Sequence, residues 1–338
     1  MKVVAIYLVT LLPKKLSVIL LLGLVCISVW ADTTKTNDEC DVILAVEYQG
    51  AVLLWNEYEG SREIAMGSCA ALDKQAHRIA YCTPSYDSLH PGHELSVQSI
   101  ESSDPEWVYR PDEGTFISEV VWSSDGSQLA FIETDAEFRS HLMLWMPEKN
   151  PHRVISASMS TTGTLGLWWS LGWTSDGSAL TVHDMTKLYQ VAPDGRVVNI
   201  IPLIELIDVG LETITSTDRV LPSPHDLNVF AYTRLVSGSP LFSSVMHEPN
   251  SALFLHNNLL GRSNNLRITD ESITVIDMTW TPDGKSLHFA GFEDTQAAEN
   301  YPFRIYRLDL QDLALTELLR GERVSVACRD EPMKEYFK

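Results

Sequence analysis

The chain has 338 residues, of which 45% are hydrophobic and 21% are charged. This composition excludes a chain that is disordered as a whole, because enough apolar material is present for a buried core. A length of this size accommodates one large domain or two ordinary ones. The formal net charge of −20 disfavours nucleic-acid binding, since an acidic surface repels the phosphate backbone.

The first 31 residues predict an export signal. Lys2, Lys14 and Lys15 precede an uncharged apolar run over residues 16–30, and Ala31 completes a site for signal peptidase. This run is shorter than the ~20 residues that a membrane-spanning helix needs. We therefore expect a periplasmic or secreted protein, with a membrane anchor through an uncleaved leader as the alternative. Loss of the leader leaves 22 basic against 45 acidic residues, a net charge of −23.

A repeat of about fifty residues runs along the rest of the chain. The segments around Trp122, Trp173 and Trp280 each contain an apolar approach to the Trp, an Asp-Gly turn and a second apolar run. Asp-Gly between two such runs is a strong signal for a β-hairpin, since glycine accepts the positive φ that the turn demands. The first two tryptophans lie 51 residues apart, and the next interval of 107 residues holds two repeats with an insertion. Weaker copies occupy residues 71–81 and 221–232.

Each copy continues with further strand material, so that four short strands, A to D, form one unit of the repeat. After the A–B hairpin that ends at Phe131, for example, residues 141–146 and 153–156 predict strands C and D. Four antiparallel strands per repeat make one blade of a β-propeller. The predicted fold class is therefore all-β.

The two ends of the chain predict a shared blade. Residues 41–66 contain three strands with no A strand before them, and residues 323–328 form one strand with no successor. Joining them closes a six-bladed propeller, with the C-terminal strand innermost, and removes the open edges of the array. The domain assignment that follows is a signal peptide over 1–31, a short segment over 32–40, the propeller over 41–330 and a tail over 331–338.

The form Trp-Ser-x-Asp-Gly-x-x-Leu-Ala-Phe, present at residues 122–131, resembles the PD40 or TolB-type variant of the WD40-like repeat. The resemblance covers essentially the whole mature chain, with three good copies and two weak ones. It implies the propeller architecture and no single activity, because such propellers serve binding, scaffolding and enzymes alike. TolB itself has an additional domain before its propeller, for which we expect no room here, so its role in an envelope-spanning complex is not carried over.

Four cysteines follow the leader, and an even number in an exported protein permits two disulfides. Cys328 ends the A strand of the closing blade and Cys40 begins its B strand, so the two should lie close together. Cys69 and Cys82 occupy matching positions on a hairpin that pairs residue 72 with residue 79. We therefore predict the bridges Cys40–Cys328 and Cys69–Cys82.

The A–B turns are tight, and the long connections collect on the opposite face, which we call the loop face. The B–C loops include residues 84–93, 238–250 and 293–302, and the D–A connections include 157–170 and 203–219. Long loops on a rigid scaffold usually carry function. We therefore expect the binding surface on the loop face, at the mouth of the central channel.

Aromatic and histidine side chains near the loop face are candidates for binding. Trp168 and Trp169 could stack on a sugar or on a peptide side chain, although packing in the core or at the rim is the simpler interpretation. His90 and His93 could offer two imidazoles to a metal, but the Pro-Gly between them favours a plain turn.

Three further residues complete the candidates. His183 and Asp184 directly follow a B strand near the same face, where they could serve a metal or proton transfer, or simply form a hydrogen-bonded pair at the surface. Tyr301 lies in the last long B–C loop. The motif tryptophans are interpreted instead as packing residues of the blades.

Contiguous enzyme motifs do not occur: the chain has no Gly-x-Ser-x-Gly elbow, HExxH, P-loop or GxGxxG sequence. An active site assembled from separate blades would leave no such motif, so an enzyme stays open. We expect a monomeric, non-catalytic binding or scaffold protein that presents the loop face to a protein or glycan partner, with no nucleic acid and no cofactor. The alternative is a hydrolase or lyase that acts on a sugar or lactone, with a divalent metal in the central channel.

Overall fold

A computed structural model describes residues 41–84, 93–147, 149–156, 167–207, 214–226, 228–236, 251–257 and 264–329. In these ranges the fold is all-β and the sheets are antiparallel, as predicted. Helical structure in the same ranges comprises one turn, α1 (Leu203–Leu206), and a 3₁₀ turn over Asp294–Gln296. None of the described helical segments is long and apolar enough to cross a membrane.

The first sheet joins the two ends of the described chain. Its N-terminal strands are β1 (Asp41–Tyr48), β2 (Ala51–Asn56) and β3 (Gly60–Met66). Its fourth strand is Arg323–Arg329, which pairs antiparallel with β1 and forms the edge of the sheet. The prediction that both ends of the chain share one four-stranded sheet is confirmed.

Three further sheets each consist of four strands that are consecutive in the chain and paired in chain order. Their strands are β4 (Ser68–Leu72), β5 (Arg78–Pro84), β6 (His93–Ser99) and β7 (Trp107–Tyr109); β8 (Phe116–Trp122), β9 (Leu129–Thr134), β10 (Ser140–Trp145) and β11 (His152–Ser156); and β12 (Trp169–Trp173), β13 (Leu180–His183), β14 (Lys187–Val191) and β15 (Val197–Pro202).

The last eight strands before the closing strand form two groups of four. They are β16 (Val220–Pro222), β17 (Val229–Leu235), β18 (Ser251–Asn257) and β19 (Asn264–Arg267), then β20 (Ile273–Trp280), β21 (Ser286–Glu293), β22 (Arg304–Asp309) and β23 (Leu315–Arg320), followed by β24 (Arg323–Arg329). One Cα pair between β18 and β20 connects the two groups into an eight-stranded sheet.

The A–B turns fold through local chemistry. Gly126 has φ +69°, and its N–H donates to the Ser123 carbonyl at 2.8 Å, while the Asp125 carboxylate accepts from the next main-chain N–H. The other two Asp-Gly copies have the same turn. In the weak copy at 71–81, Ala76 takes the glycine position with φ +52° and donates to Asp73 at 2.9 Å. The weak copy therefore forms the predicted turn, although a Cβ in this region of φ is unfavourable.

Buried apolar clusters lie between groups of strands that follow one another in the chain. Phe131 on β9 and Leu95 on β6, for example, belong to one cluster that joins two consecutive sheets. Another cluster contains Ile305 on β22, Leu44 on β1 and Val324 on β24. The apolar packing therefore returns to the first sheet, which gives the closing strand β24 a hydrophobic as well as a hydrogen-bonded contact.

The Cys69–Cys82 disulfide is confirmed, with a Cα–Cα distance of 5.6 Å. Leu72 pairs with Ile79 as predicted, but the β4–β5 register shifts before it reaches the cysteines. Cys69 lies in the resulting bulge with φ +46°, so that its neighbour Ser68, rather than Cys69, stands directly opposite Cys82. The bridge therefore crosses a bulge that an unbroken register had not foreseen.

The predicted Cys40–Cys328 bridge lies partly outside the described residues, since Cys40 is not among them. Cys328 pairs with Val42 in the β1–β24 ladder and is disulfide-bonded. The identity of its partner stays a prediction.

Candidate functional site: a charged belt in the channel

A cavity of 440 Å³ lies among the first strands of the sheets, β4, β8, β12, β16, β20 and β24. The motif tryptophans Trp122, Trp173 and Trp280 line it, and its wall reaches the A–B turns at residues such as Ser124 and Ser175. The cavity is therefore bounded on one side by the A–B turns, opposite the loop face. The binding surface predicted from the sequence is the loop face, whose longest loops lie largely outside the described residues, so that placement stays a prediction.

Five charged side chains form the other end of the cavity wall. We call Glu47, Glu119, Arg219, Asp277 and Arg323 the charged belt. Each comes from a strand next to the cavity or from the residue just before one, and together they contribute three carboxylates and two guanidinium groups. The belt is the most highly charged part of the cavity lining.

Arg219 connects two belt carboxylates from different sheets. Its guanidinium lies 2.5 Å from a Glu119 oxygen and 2.9 Å from an Asp277 oxygen. The Glu119 carboxylate also accepts from the main-chain N–H groups of Ser170 at 2.9 Å and Leu171 at 2.7 Å, in the next sheet. A buried ion pair with this many additional hydrogen bonds is adequately compensated for its lost hydration.

The other belt carboxylates also bind the main chain of a neighbouring sheet. Asp277 on β20 accepts from the N–H of Val324 on β24 at 3.1 Å, and Glu47 on β1 accepts from the N–H of Ala70 on β4 at 3.0 Å. Hydrogen bonds to a charged acceptor are about twice as strong as neutral ones. The belt therefore fastens consecutive sheets to one another around the cavity.

The surroundings shift the ionisation of the belt in opposite directions. Burial disfavours the charged form of Glu119, but Arg219 and the two main-chain N–H groups outweigh it and lower the pKa of Glu119. The same carboxylate and Asp277 raise the pKa of Arg219 against the effect of burial. Burial raises the pKa of Glu47, and the charge of Arg323 opposes this only in part.

The motif tryptophans differ in the partner of their indole N–H. Trp122 donates to the carbonyl of Ala71 at 3.1 Å, and Trp280 donates to the carbonyl of Leu221 at 3.2 Å, each in the preceding group of strands. The buried Nε1 of Trp173 has no hydrogen-bond partner among the described residues. These contacts agree with the interpretation of the motif tryptophans as packing residues.

Trp168 and Trp169 have different surroundings. Trp168 is buried, with its ring 6.3 Å from that of Tyr189. Trp169 is half-buried and stands opposite His183, with 6.3 Å between ring centroids, so the structure brings these two candidates together. A binding role for either tryptophan stays a prediction.

His183 and Asp184 are completely buried, and the expectation that they form a pair at the surface is wrong. His183 donates through Nε2 to the Asp218 carbonyl at 2.9 Å, and its Nδ1 accepts from the N–H of Met185 at 3.1 Å. Burial lowers the pKa of His183, which favours this neutral tautomer. Asp184 accepts from neighbouring main-chain N–H groups and from the hydroxyl of Tyr189 at 2.8 Å.

The remaining candidates are separate from these residues in the chain and in the sheets. Tyr301 makes edge-on contacts with Tyr48, at 5.0 Å between ring centroids, and with Phe303, at 5.4 Å. His93 begins β6 opposite Pro84, and His90 lies outside the described residues. Within the described ranges, no three His, Cys, Asp or Glu side chains are grouped so that they could hold a metal ion.

The charged belt was not predicted from the sequence, although the repeat contains a signal for part of it. Glu119 and Asp277 each lie three residues before a motif Trp, and Arg219 lies three residues before Pro222, which takes the Trp position in a weak copy. Side chains of opposite charge at the same position of the repeat, three residues before the Trp, would have indicated that these side chains pair between sheets. The weak copy conceals this pattern, because it lacks both Trp and Gly.

Comparison with solved structures identifies the architecture. TolB from Acinetobacter baumannii is similar at a TM-score of 0.56 and 15% identity, over 85% of this chain and 66% of that one. A TolB-type protein from Agrobacterium tumefaciens is similar at a TM-score of 0.55 and 13% identity, over 87% of this chain and 100% of that one. The β-propeller domain of Cps50 (Swd1) from Myceliophteria thermophila is similar at a TM-score of 0.50 and 10% identity, over 84% of this chain and 86% of that one. This chain spans just under two thirds of the Acinetobacter protein.

The chain is therefore a β-propeller, and its fold is of the TolB-like type, as the repeat motif had indicated. No family model matches the sequence, and no curated protein matches it. At these identities the likeness concerns the fold alone.

Proposed function

We propose that this chain is an exported, non-catalytic propeller of six blades that presents its loop face to a protein or glycan partner. The count of six takes the eight-stranded sheet as two blades that touch through one Cα pair, Ser251 with Val275. Export is supported by the apolar leader and by the Cys69–Cys82 disulfide, since disulfides persist in oxidising compartments.

The observation that carries the binding role is the bracing of one long loop on the loop face, residues 293–302. The buried guanidinium of Arg304 donates to the carbonyls of Tyr301 at 3.1 Å and Pro302 at 2.9 Å, and to the Glu299 carboxylate at 2.6 Å. A loop fixed in this way loses little conformational freedom when a partner binds. The loop is therefore suited to recognition.

The charged belt supports a scaffold rather than an active site. A general acid or base must be within hydrogen-bond reach of a substrate proton. Glu119 and Asp277 are instead held by Arg219 and by main-chain N–H groups of neighbouring sheets. We therefore favour binding over the hydrolase or lyase alternative.

A partner-capture experiment tests the choice of face. Asn300 is exposed on the braced loop, and Gln75 is exposed on an A–B turn at the opposite face. Asn300→Lys and Gln75→Lys add the same charge at these two places. With the folded protein as bait for an envelope fraction and a glycan array, we expect Asn300→Lys to reduce capture at least tenfold and Gln75→Lys to leave it unchanged.

Two results would contradict the proposal. Equal capture by both variants would refute the loop face as the binding surface. Turnover of a sugar or lactone substrate by the wild-type protein would refute a non-catalytic role.

A further inference from the structure

We propose that the channel cavity is a second binding site, which takes an organic cation: an ammonium or guanidinium group on an apolar stem. The site is bounded by the A–B turns and by the charged belt. It is separate from the loop face, so it does not rest on the function proposed above. The cavity volume of 440 Å³ lies within the range of small-molecule pockets.

Glu47 is the belt residue that makes the site selective for a cation. The residue is only 6% exposed, and it lines the cavity. It accepts one main-chain hydrogen bond, from Ala70, and forms no ion pair with a described lysine, arginine or histidine. A buried carboxylate without an ion-pair partner gains strongly from a cation that enters the cavity.

The other charged residues of the belt already have partners within the protein. Arg219 is already paired with Glu119 and Asp277, which together exceed its charge by one. Arg323 stands opposite Glu47 in the β1–β24 ladder, and its guanidinium donates to the carbonyl of Ser118 at 3.3 Å. With three carboxylates and two guanidinium groups, the belt has a net formal charge of −1, which favours a cationic ligand over an anionic one.

The walls of the cavity fit the apolar stem of such a ligand. Three indoles line the channel, and the faces of aromatic rings attract cations. Trp122 already has the guanidinium of Arg78 at 4.5 Å from its ring centroid, so an indole of this wall does hold a cation. Trp173 is more exposed than the other two motif tryptophans and is available to a ligand. Lys74 at the turn end is exposed, so water screens its charge.

Calorimetric titration with two matched ligands tests the proposal on the intact protein. Benzylamine carries an ammonium group on an apolar ring, and benzyl alcohol has nearly the same shape without the charge. We expect benzylamine to bind the wild-type protein at least tenfold more tightly than benzyl alcohol. A blocked peptide, acetyl-Gly-Lys-Gly-amide, distinguishes the sources: competition with benzylamine would assign the site to a basic side chain of a partner, and its failure would assign the site to a free amine.

Glu47→Gln tests the residue, because an amide oxygen can still accept from Ala70 while the charge is removed. We expect this variant to bind benzylamine at least tenfold more weakly. Glu63→Gln, on the outer strand β3 of the same sheet and outside the cavity, is the matched control and should bind as the wild type does. Equal binding of the amine and the alcohol, an unchanged affinity in Glu47→Gln, or no binding of either cation to the wild-type protein would each overturn the proposal.

Discussion

Replacement of Arg219 by methionine should destabilise the fold strongly, because it removes the cation that two buried carboxylates share. The guanidinium lies 2.5 Å from Glu119 and 2.9 Å from Asp277, and all three side chains are at most 14% exposed. Removing one partner of a buried ion pair costs about 3–5 kcal/mol, since the remaining charge is left without compensation. We therefore expect Arg219→Met to lower the free energy of unfolding by about 3–5 kcal/mol at pH 7.

Equilibrium unfolding in guanidinium chloride, followed by tryptophan fluorescence, measures this loss. Arg196→Met is the matched control, because Arg196 pairs with Asp194 at 3.0 Å with both side chains largely exposed, where solvent screens the interaction. The control should change stability far less than Arg219→Met. If the free energy of unfolding falls by the same small amount in both variants, the inference that the belt fastens the sheets together is wrong.

The pH dependence of this loss provides a second check. In the wild-type protein the pKa of Glu119 is lowered, so its contribution to stability is present above its ordinary pKa of 4.5 and is lost as the pH falls through the lowered value. Without Arg219, burial of Glu119 is opposed only by the two main-chain N–H groups and the charge of Arg323, so its pKa rises from the wild-type value and protonation relieves more of the cost of its charge. The difference between wild type and variant should therefore shrink from pH 7 towards pH 4. A difference that grows on acidification would refute the electrostatic explanation.

Three further predictions concern histidine, tryptophan and disulfide chemistry. Burial, with a smaller effect of a nearby arginine, lowers the pKa of His288 from 6.5 to about 3, so stability is full above pH 6.5 and falls as the unfolded chain is protonated. At pH 5 the free energy of unfolding should be lower by about 2 kcal/mol, from 1.5 pH units at about 1.36 kcal/mol each. Denaturant titration of His288→Phe should show that this pH-dependent loss has disappeared. An equally steep pH dependence in that variant would exclude His288 as the source of the loss. Trp122→Phe should lower the free energy of unfolding, measured by thermal unfolding, by about 1 kcal/mol more than Trp173→Phe does. Of these two indoles, only that of Trp122 donates its N–H to a carbonyl among the described residues. Equal losses would mean that this hydrogen bond contributes nothing to stability. Peptide mapping without reduction should find Cys40 linked to Cys328, and a free thiol at either position would disprove that pairing.

The hairpins could be predicted from the sequence because their chemistry is local. The turn at Gly126 needs a positive φ that glycine supplies, and Asp125 caps the next N–H within the same few residues. The apolar run on each side of the turn then predicts two paired strands, and the second of them, β9, is buried at every position. The same register placed Cys69 near Cys82, and the count of strands at the two ends of the chain predicted that they share one sheet.

The charged belt, in contrast, was decided by the tertiary structure. Arg219 lies 100 residues from Glu119 and 58 from Asp277 in the chain, and no local pattern states which sheets these side chains will join. His183 and Asp184 show the same limit, since a surface pair was expected, whereas both side chains are buried and form hydrogen bonds with other residues. The sequence determined the repeat and its turns through interactions within a few residues. Only the closure of the sheets around the channel determined which charges meet, because Coulomb and hydrogen-bond partners are set by distance in space.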